Sequence, residues 1–165
     1  MVSYVFVTVG TTKFDKLVKS VTDPEVINAL KKRGCRHIKL QIGNGLMPEN
    51  DKLSNEIKIE FYRFKESIRE DIENADLVIS HGGAGCCIET LEAGKPLVAV
   101  INEDLMNNHQ IEVASKLSEG GYLYSTNCDN LSYVIENADF AKLKKFPKRD
   151  PNLFAKSLDV IMGFC

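Results

Sequence analysis

The fold is indicated most clearly by the segment DLVISHGGAGCCIETL, residues 76–91. Its first part, residues 76–80, is a short apolar run of the kind that is buried on both faces of a parallel sheet. Residues 81–85 then contain three glycines in five positions, which predicts a turn. Apolar side chains follow at helical spacing, and they would share one helix face: Ala84, Cys87, Ile88 and Leu91. The segment therefore predicts a strand, a glycine loop and a helix in succession.

The same order of elements recurs along the chain. Residues 4–9 form an apolar, β-branched run, Gly10, Thr11 and Thr12 interrupt it, and a helical pattern follows. Similar patterns predict strands at residues 37–42, 57–61, 97–101 and 122–124, and helices near residues 24–33, 68–75, 111–117, 131–138 and 151–164. Alternating strands and helices predict an α/β fold with a mostly parallel sheet covered on both faces, as in a single Rossmann-like domain.

Length and composition suit one compact domain. The 165 residues are 44% hydrophobic and 27% charged, which is ordinary for a globular chain. A basic stretch containing Pro147 has the composition of a hinge before the last predicted helix. We therefore divide the chain into a domain at residues 1–141 and a hinge with a C-terminal helix at residues 142–165.

Charge and cysteine content exclude several classes of function. A formal net charge of −2 gives no basis for electrostatic capture of nucleic acid. The five cysteines are odd in number and irregularly spaced, which is typical of reduced thiols in the cytosol rather than of a disulfide framework. No zinc-ligand spacing occurs, and no segment approaches the ~20 apolar residues of a membrane span.

The two glycine turns are the first candidate for a binding site. Parallel sheets bind ligands beyond the carboxyl ends of their strands, where residues 10–12 and 81–85 are expected to lie. A helix N-terminus offers unpaired N–H groups and a partial positive charge, which together suit a diphosphate. The alternative is a pair of tight turns without a ligand. Neither turn is a Walker loop or a GxGxxG fingerprint, so nicotinamide binding is disfavoured.

Other candidate residues have equally plain structural alternatives. Glu89 follows the second turn by one helical turn and could accept hydrogen bonds from both hydroxyls of a ribose, or be a solvated helix glutamate. Residues 102–110 are rich in amides, which could contact a sugar or cap the next helix. Cys86 lies near a helix start, a position that lowers the pKa of a thiol, but packing is the simpler role.

In these motifs the chain resembles the catalytic subunits of the eukaryotic UDP-N-acetylglucosamine transferase that acts on dolichol-diphosphate-linked N-acetylglucosamine. That family in turn resembles the carboxyl-terminal half of the bacterial peptidoglycan N-acetylglucosaminyltransferase, a two-domain GT-B enzyme. The matching segments run almost from end to end: residues 5–12, 40–43, 76–85, 89–91, 94–96 and 107–110.

The resemblance implies roles for individual residues. The diphosphate would be bound by Gly10, Thr11 and Thr12 of the first turn and by Gly82, Gly83, Ala84 and Gly85 of the second. His81 would contact phosphate or only shape the turn. Glu89 would hold the ribose. The N-acetylglucosamine would be contacted by Asn108, His109 and Gln110.

The resemblance also implies a reaction. N-acetylglucosamine would pass with inversion from UDP-N-acetylglucosamine to the dolichol-linked acceptor, without a cofactor or a bound metal, in agreement with the absence of a DxD motif. The general base is unassigned; Asp15 and His109 are candidates, and the partner could supply it. The alternative is a UDP-sugar-binding subunit without turnover.

A partner is the last implication. The family pairs its catalytic subunit with a membrane-anchored glycosyltransferase subunit, which would recruit this chain from the cytoplasm to the cytosolic face of the endoplasmic reticulum. Apolar residues of the last predicted helix could dock on that partner or pack on their own domain: Phe154, Leu158 and Ile161.

Overall fold

The structure is a computed structural model that describes residues 1–48, 56–102 and 108–147; of residues 108–110 it describes the backbone alone. Six strands form one sheet in the order β3-β2-β1-β4-β5-β6, and all five strand pairs are parallel. The strands are β1 (Tyr4–Thr8), β2 (His37–Gln41), β3 (Lys58–Tyr62), β4 (Leu77–Ser80), β5 (Leu97–Val100) and β6 (Tyr124–Thr126). The predicted α/β fold is confirmed.

Within the described ranges, six helices cover the two faces of the sheet. They are α1 (Asp15–Thr22), α2 (Pro24–Lys32), α3 (Arg69–Asn74), α4 (Ala84–Glu92), α5 (Asn108–Glu119) and α6 (Leu131–Asn137), and a 3₁₀ turn follows at Phe140–Lys142. Buried residues of α1, α2 and α6 share one core cluster, and those of α3, α4 and α5 share the other. The domain therefore has three layers, with the sheet in the middle.

The central strand β1 shows why the sequence selects this arrangement. Successive side chains of a strand point to opposite faces, so Val5 and Val7 enter the α1 side of the core while Phe6 enters the α4 side. All three are at most 1% exposed. A strand buried on both faces needs a continuous apolar run, which is what residues 5–7 supply.

The last strand lies two residues later than the sequence predicts. Residues 122–124 were expected to form it, but β6 covers Tyr124–Thr126 and pairs Tyr124 with Val98. The Tyr122 amide instead donates to the Leu117 carbonyl and so ends α5. Buried Leu123 fits the helix-side core equally well, which is why its apolarity alone misplaced the strand.

Asp76 fixes the amino end of β1. Its Oδ2 accepts hydrogen bonds from the Ser3 amide at 3.1 Å, the Ser3 hydroxyl at 2.9 Å and the Tyr4 amide at 3.0 Å. The bond from the Tyr4 amide is the main reason that the pKa of Asp76 lies below its ordinary value. One carboxylate thus joins the start of β4 to the start of β1.

A second carboxylate ties α3 to the sheet. Asp71 has a side chain only 4% exposed, and its oxygens accept from Tyr62 Oη at 2.6 Å, Lys39 Nζ at 3.0 Å and Lys65 Nζ at 3.1 Å. Burial raises the pKa of Asp71, but these three hydrogen bonds outweigh burial and hold the pKa below its ordinary value. The ionised form therefore stabilises the fold.

The segment after α6 returns across the amino edge of the sheet. The Lys144 amide donates to the Gly121 carbonyl at 2.9 Å, and the rings of Phe146 and Tyr122 meet edge to face with their centroids 5.5 Å apart. Among the residues described, no helix has the length and apolarity needed to cross a bilayer.

We expect Asp71→Ala to lower the free energy of unfolding by about 3 kcal/mol, because it leaves two lysines and a tyrosine hydroxyl without their buried acceptor. Urea denaturation measures the change. Glu73→Ala on the same helix removes only an exposed ion pair with Arg69 and serves as the control. Equal losses in the two variants would contradict the role assigned to Asp71.

Candidate functional site

Three strand ends meet at the carboxyl edge of the sheet. Thr8 of β1 is in register with Gln41 of β2 on one side and with Ser80 of β4 on the other. The turns that follow β1 and β4 are therefore neighbours, as predicted from their position after adjacent strands. The structure brings residues 10–12 and 81–85 to one place.

His81 fills the space between the two turns. A Cβ added to Gly10 would lie 2.7 Å from His81 Cε1, and one added to Gly83 would lie 2.3 Å from His81 Nε2. Gly10 also has a φ of +61° and Gly82 a φ of +83°, values that favour glycine. Gly10 and Gly83 thus leave room for the imidazole, and Gly10 and Gly82 have backbone angles that favour glycine. His81 therefore determines the shape of both turns.

His81 is electrically neutral in this setting. The residue is 9% exposed, and burial lowers the pKa of its imidazole below the ordinary value, with a backbone hydrogen bond to Thr8 opposing the shift. Ser80 Oγ lies 3.4 Å from His81 Nδ1. An uncharged ring at this position packs between the turns without adding a fixed charge.

The second turn delivers a helix N-terminus to the same edge. The sequence placed the glycine loop at residues 81–85, but α4 begins at Ala84, so Ala84 and Gly85 belong to its first turn. Gly83 occupies the N-cap position and has no side chain to cap the helix. Within the described ranges no hydrogen bond engages the amides of Ala84 and Gly85, and the first turn carries no acidic residue. These amides can bind an anion.

The first turn offers fewer donors than its three residues suggest. The Gly10 amide donates to Gln41 Oε1 at 3.0 Å and to Thr8 Oγ1 at 3.1 Å, and the Thr12 amide donates to the Val9 carbonyl at 3.1 Å. In the part of the chain that the structure describes, the Thr11 amide makes no hydrogen bond. Among the described residues, the Thr11 amide is thus the backbone donor of this turn that is left for a ligand, and contacts of Gly10, Thr11 and Thr12 with a diphosphate stay a prediction.

Glu89 lies beside a cavity on the flank of the site. The half-buried side chain lines a space of about 310 Å³ with Arg69 and Ile72 of α3 and with Phe146. Gly85 precedes it on α4 by about one turn, or ~6 Å along the helix axis. The cavity therefore begins one turn below the unpaired amides of α4.

Asp15 is engaged by neighbouring groups. Its Oδ1 accepts the Leu46 amide at 2.8 Å, and its Oδ2 lies 3.6 Å from Lys13 Nζ. These contacts join the start of α1 to the turn after β2. Asp15 thus anchors that turn, and its role as general base stays a proposal.

Cys86 differs from the expectation for a thiol at a helix start. Burial, with the nearby Glu89 carboxylate, raises the pKa of Cys86 to about 11, and a hydrogen bond with Thr8 lowers it only in part. Burial raises the pKa of Cys87 to about 12. Both thiols therefore stay protonated at neutral pH, in agreement with the packing role that the sequence favours.

Two groups of predicted site residues have side chains that lie outside the described part of the structure. Asn108, His109 and Gln110 open helix α5, but their side chains are not among those described. The same holds for the whole of the segment that contains Phe154, Leu158 and Ile161. Their contacts with a sugar or with a partner stay predictions.

Gln41 and Arg63 are important residues that sequence reasoning did not single out. Gln41 is 3% exposed and bonds to the turn after β1, while Arg63 Nη1 donates to the carbonyls of Gly43 at 3.0 Å and Gly45 at 2.8 Å. Gln41 continues the polar alternation of His37 and Lys39 along β2, so the sequence did not distinguish it from a solvent-facing residue, although a buried amide needs partners. Its partners could not be deduced without the strand order.

A parallel sheet with glycine turns at its carboxyl edge defines a Rossmann-like domain of the type that binds ligands at strand ends. More narrowly, the chain belongs to the glycosyltransferase family 28 C-terminal domain family, whose model matches residues 4–161.

Similar proteins carry related names. The chain is 50% identical over 124 residues to the human "UDP-N-acetylglucosamine transferase subunit ALG13", covering 75% of the chain but only 11% of the human protein. It is 32% identical to the subunit of that name from Kluyveromyces lactis, covering 93% of the chain and 95% of that protein.

Solved structures agree on the fold. An NMR solution structure of ALG13 superposes with a TM-score of 0.71 at 25% identity and 94% coverage of both chains. Acinetobacter baumannii MurG superposes with a TM-score of 0.64 at 18% identity, covering 97% of this chain and 49% of the MurG chain. The domain thus corresponds to about half of that larger structure.

We expect Gly83→Ala to cost about 1–3 kcal/mol of stability, because the new Cβ would collide with His81 Nε2. The φ of Gly83 is −65°, so the backbone itself accepts alanine. Gly85→Ala, where nothing lies within 4 Å of the new Cβ, is the matched control and should cause no loss. The penalty should shrink when Gly83→Ala is combined with His81→Ala; a penalty that persists would mean that the clash is elsewhere.

The lowered pKa of His81 predicts a pH dependence of stability. In the unfolded chain the imidazole of His81 binds a proton near pH 6.5, whereas in the folded chain it binds one only at a lower pH. The stability that the neutral imidazole contributes is therefore fully present above about pH 6.5 and is lost as the pH falls towards the folded-state pKa. Urea midpoints between pH 7.5 and 5 measure this fall. His81→Asn should flatten the slope, and an unchanged slope in that variant would contradict a buried neutral imidazole.

Proposed function

We propose that this domain binds UDP-N-acetylglucosamine and transfers its sugar to dolichol-diphosphate-linked N-acetylglucosamine, as the catalytic subunit of a two-subunit enzyme. The observation that carries the proposal is the convergence of the Thr11 amide and the uncapped N-terminus of α4 at one sheet edge. Membership of a glycosyltransferase family and the names of the relatives supply the substrate class.

The diphosphate would bind at the tips of β1 and β4. Cleavage of the bond between the anomeric carbon and UDP increases negative charge on the diphosphate in the transition state. Fixed N–H groups of Ala84, Gly85 and Thr11 would stabilise that charge, aided by the dipole of α4. His81, whose pKa is lowered by burial in the free domain, would contribute shape and a hydrogen bond.

The nucleoside would extend from this point along α4. Glu89 would accept hydrogen bonds from the ribose hydroxyls, which places the base against α3 in the cavity lined by Arg69 and Ile72. The sugar would lie on the opposite side of the diphosphate, towards Asn108, His109 and Gln110 at the start of α5. His109, Asp15 or a group of the partner would act as the base in an inverting displacement.

The partner would complete the acceptor site. A membrane-anchored subunit would bind the segment that contains Phe154, Leu158 and Ile161, and would recruit the domain from the cytoplasm to the endoplasmic reticulum membrane. Under this proposal the boundary between the nucleotide domain, residues 1–141, and the docking segment, residues 142–165, separates donor binding from partner binding. No cofactor is involved.

Glu89→Ala should weaken UDP binding about tenfold or more, because hydrogen bonds to a charged group contribute roughly 1.5–3 kcal/mol. Isothermal titration calorimetry of UDP measures the loss. Glu92→Ala on the same helix removes an exposed carboxylate of the same cavity and should retain the affinity of the natural chain. Equal affinities in all three proteins would remove Glu89 from the ribose site.

Turnover separates the enzyme from the alternative, a subunit that binds UDP-sugar without catalysis. Radiolabelled UDP-N-acetylglucosamine is supplied with the lipid-diphosphate acceptor, with and without membranes that carry the partner. Label should enter the lipid only in the complete mixture. UDP binding without transfer in every mixture would favour the non-catalytic alternative.

A chain ending at Asp150 should bind UDP normally yet fail to co-purify with the partner.

A further inference from the structure

The side chain of Gln41 uses its whole hydrogen-bonding capacity at the edge of the sheet. Its Oε1 accepts from Thr8 Oγ1 at 2.5 Å, the Val9 amide at 3.1 Å and the Gly10 amide at 3.0 Å. Its Nε2 donates to the carbonyls of Gly10 at 2.9 Å and Arg63 at 2.8 Å. One buried amide therefore joins the ends of β1, β2 and β3.

These bonds determine the conformation of the turn after β1. Both backbone groups of Gly10 are held by Gln41, and the amide and hydroxyl of Thr12 both donate to the Val9 carbonyl, at 3.1 Å and 2.7 Å. Gly43 packs from the β2 side, where an added Cβ would lie 2.7 Å from the Thr12 carbonyl oxygen. Thr11 is left between two fixed neighbours with its own amide unengaged in the described part of the chain.

We propose that Gln41 is a positioning residue for the diphosphate site: it fixes the Gly10–Thr12 turn so that the Thr11 amide is presented to the ligand next to the start of α4. This inference rests on the function proposed above and adds a residue that touches neither substrate nor reacting atoms. Preorganisation of this kind raises affinity because the ligand need not order the turn when it binds.

The amide group itself is required. Methionine has similar length and no hydrogen-bonding capacity, so it would leave the Gly10 amide and carbonyl with buried bonds unmade. Glutamate would keep the acceptor but would replace both donors, and its charge would face the carbonyl oxygens of Gly10 and Arg63. Thr8→Val is a milder change that removes the hydroxyl, which donates to Gln41, accepts from Gly10 and also contacts the Cys86 thiol.

Asp76 supplies a control that acts on the same strand, β1, from its other end. It holds the amino end of β1 through three hydrogen bonds, whereas Gln41 holds the carboxyl end. Asp76→Asn should lower the stability of the domain through β1 without disturbing the turn. Comparing the two variants separates loss of stability from loss of positioning.

The test is UDP calorimetry on the whole chain, together with amide hydrogen exchange of residues 10–12 by NMR in the absence of ligand, at a temperature where each variant is folded. Gln41→Met and Gln41→Glu should weaken UDP binding about tenfold and accelerate exchange of the Gly10 amide. Thr8→Val should weaken binding by a smaller factor, about threefold, and provides the same readouts if both Gln41 variants fail to fold. Asp76→Asn should stay within about twofold of the natural chain.

The outcomes distinguish this inference from the proposed function. If the natural chain binds UDP and Gln41→Met and Thr8→Val bind it equally well, the positioning role is wrong while the nucleotide site stands. If Asp76→Asn loses as much affinity as Gln41→Met, the effect is one of stability and the inference is also wrong. A natural chain that does not bind UDP would overturn the proposed function, and the positioning role with it.

Discussion

The parallel pairing of β1 with both β2 and β4 is the constraint on which the site depends. Parallel strands place their carboxyl ends on one edge of the sheet. The residues that follow Thr8, Gln41 and Ser80 are therefore neighbours, although they are far apart in sequence. The same pairing buries β1 on both faces, with Val5 and Val7 in one core cluster and Phe6 in the other. Stability and site geometry therefore come from one set of strand contacts.

Sequence patterns predicted most of this framework. Apolar runs marked β1, β4 and β5 because a strand covered on both faces has no polar side to alternate with, whereas β2 and β3 alternate polar with apolar residues. The pattern failed at β6, where Leu123 is buried in the core but lies in the connection between α5 and the strand. Apolarity reports burial, and burial alone does not distinguish the two kinds of backbone.

The chemistry of individual side chains was less predictable. The sequence favoured packing for Cys86 but could not give the pKa of its thiol, because desolvation by the packed neighbours raises that pKa. Gln41 looked like one more residue of the polar alternation that His37 and Lys39 begin along β2. Its five hydrogen bonds join residues far apart in sequence, and only the strand order β3-β2-β1 shows that they are neighbours.

His81 explains why the start of α4 stays open. A serine or aspartate at the N-cap position would ordinarily accept an N–H of the first helical turn and stabilise the helix by about 1 kcal/mol. Here any Cβ at position 83 would lie 2.3 Å from His81 Nε2, so a capping side chain is excluded unless the imidazole moves. The ring that separates the two turns thus also prevents the helix from satisfying its own amides. Unpaired donors of this kind would gain a partner from a bound anion, so the same residue that costs the free domain a cap would increase what the domain gains from the proposed ligand.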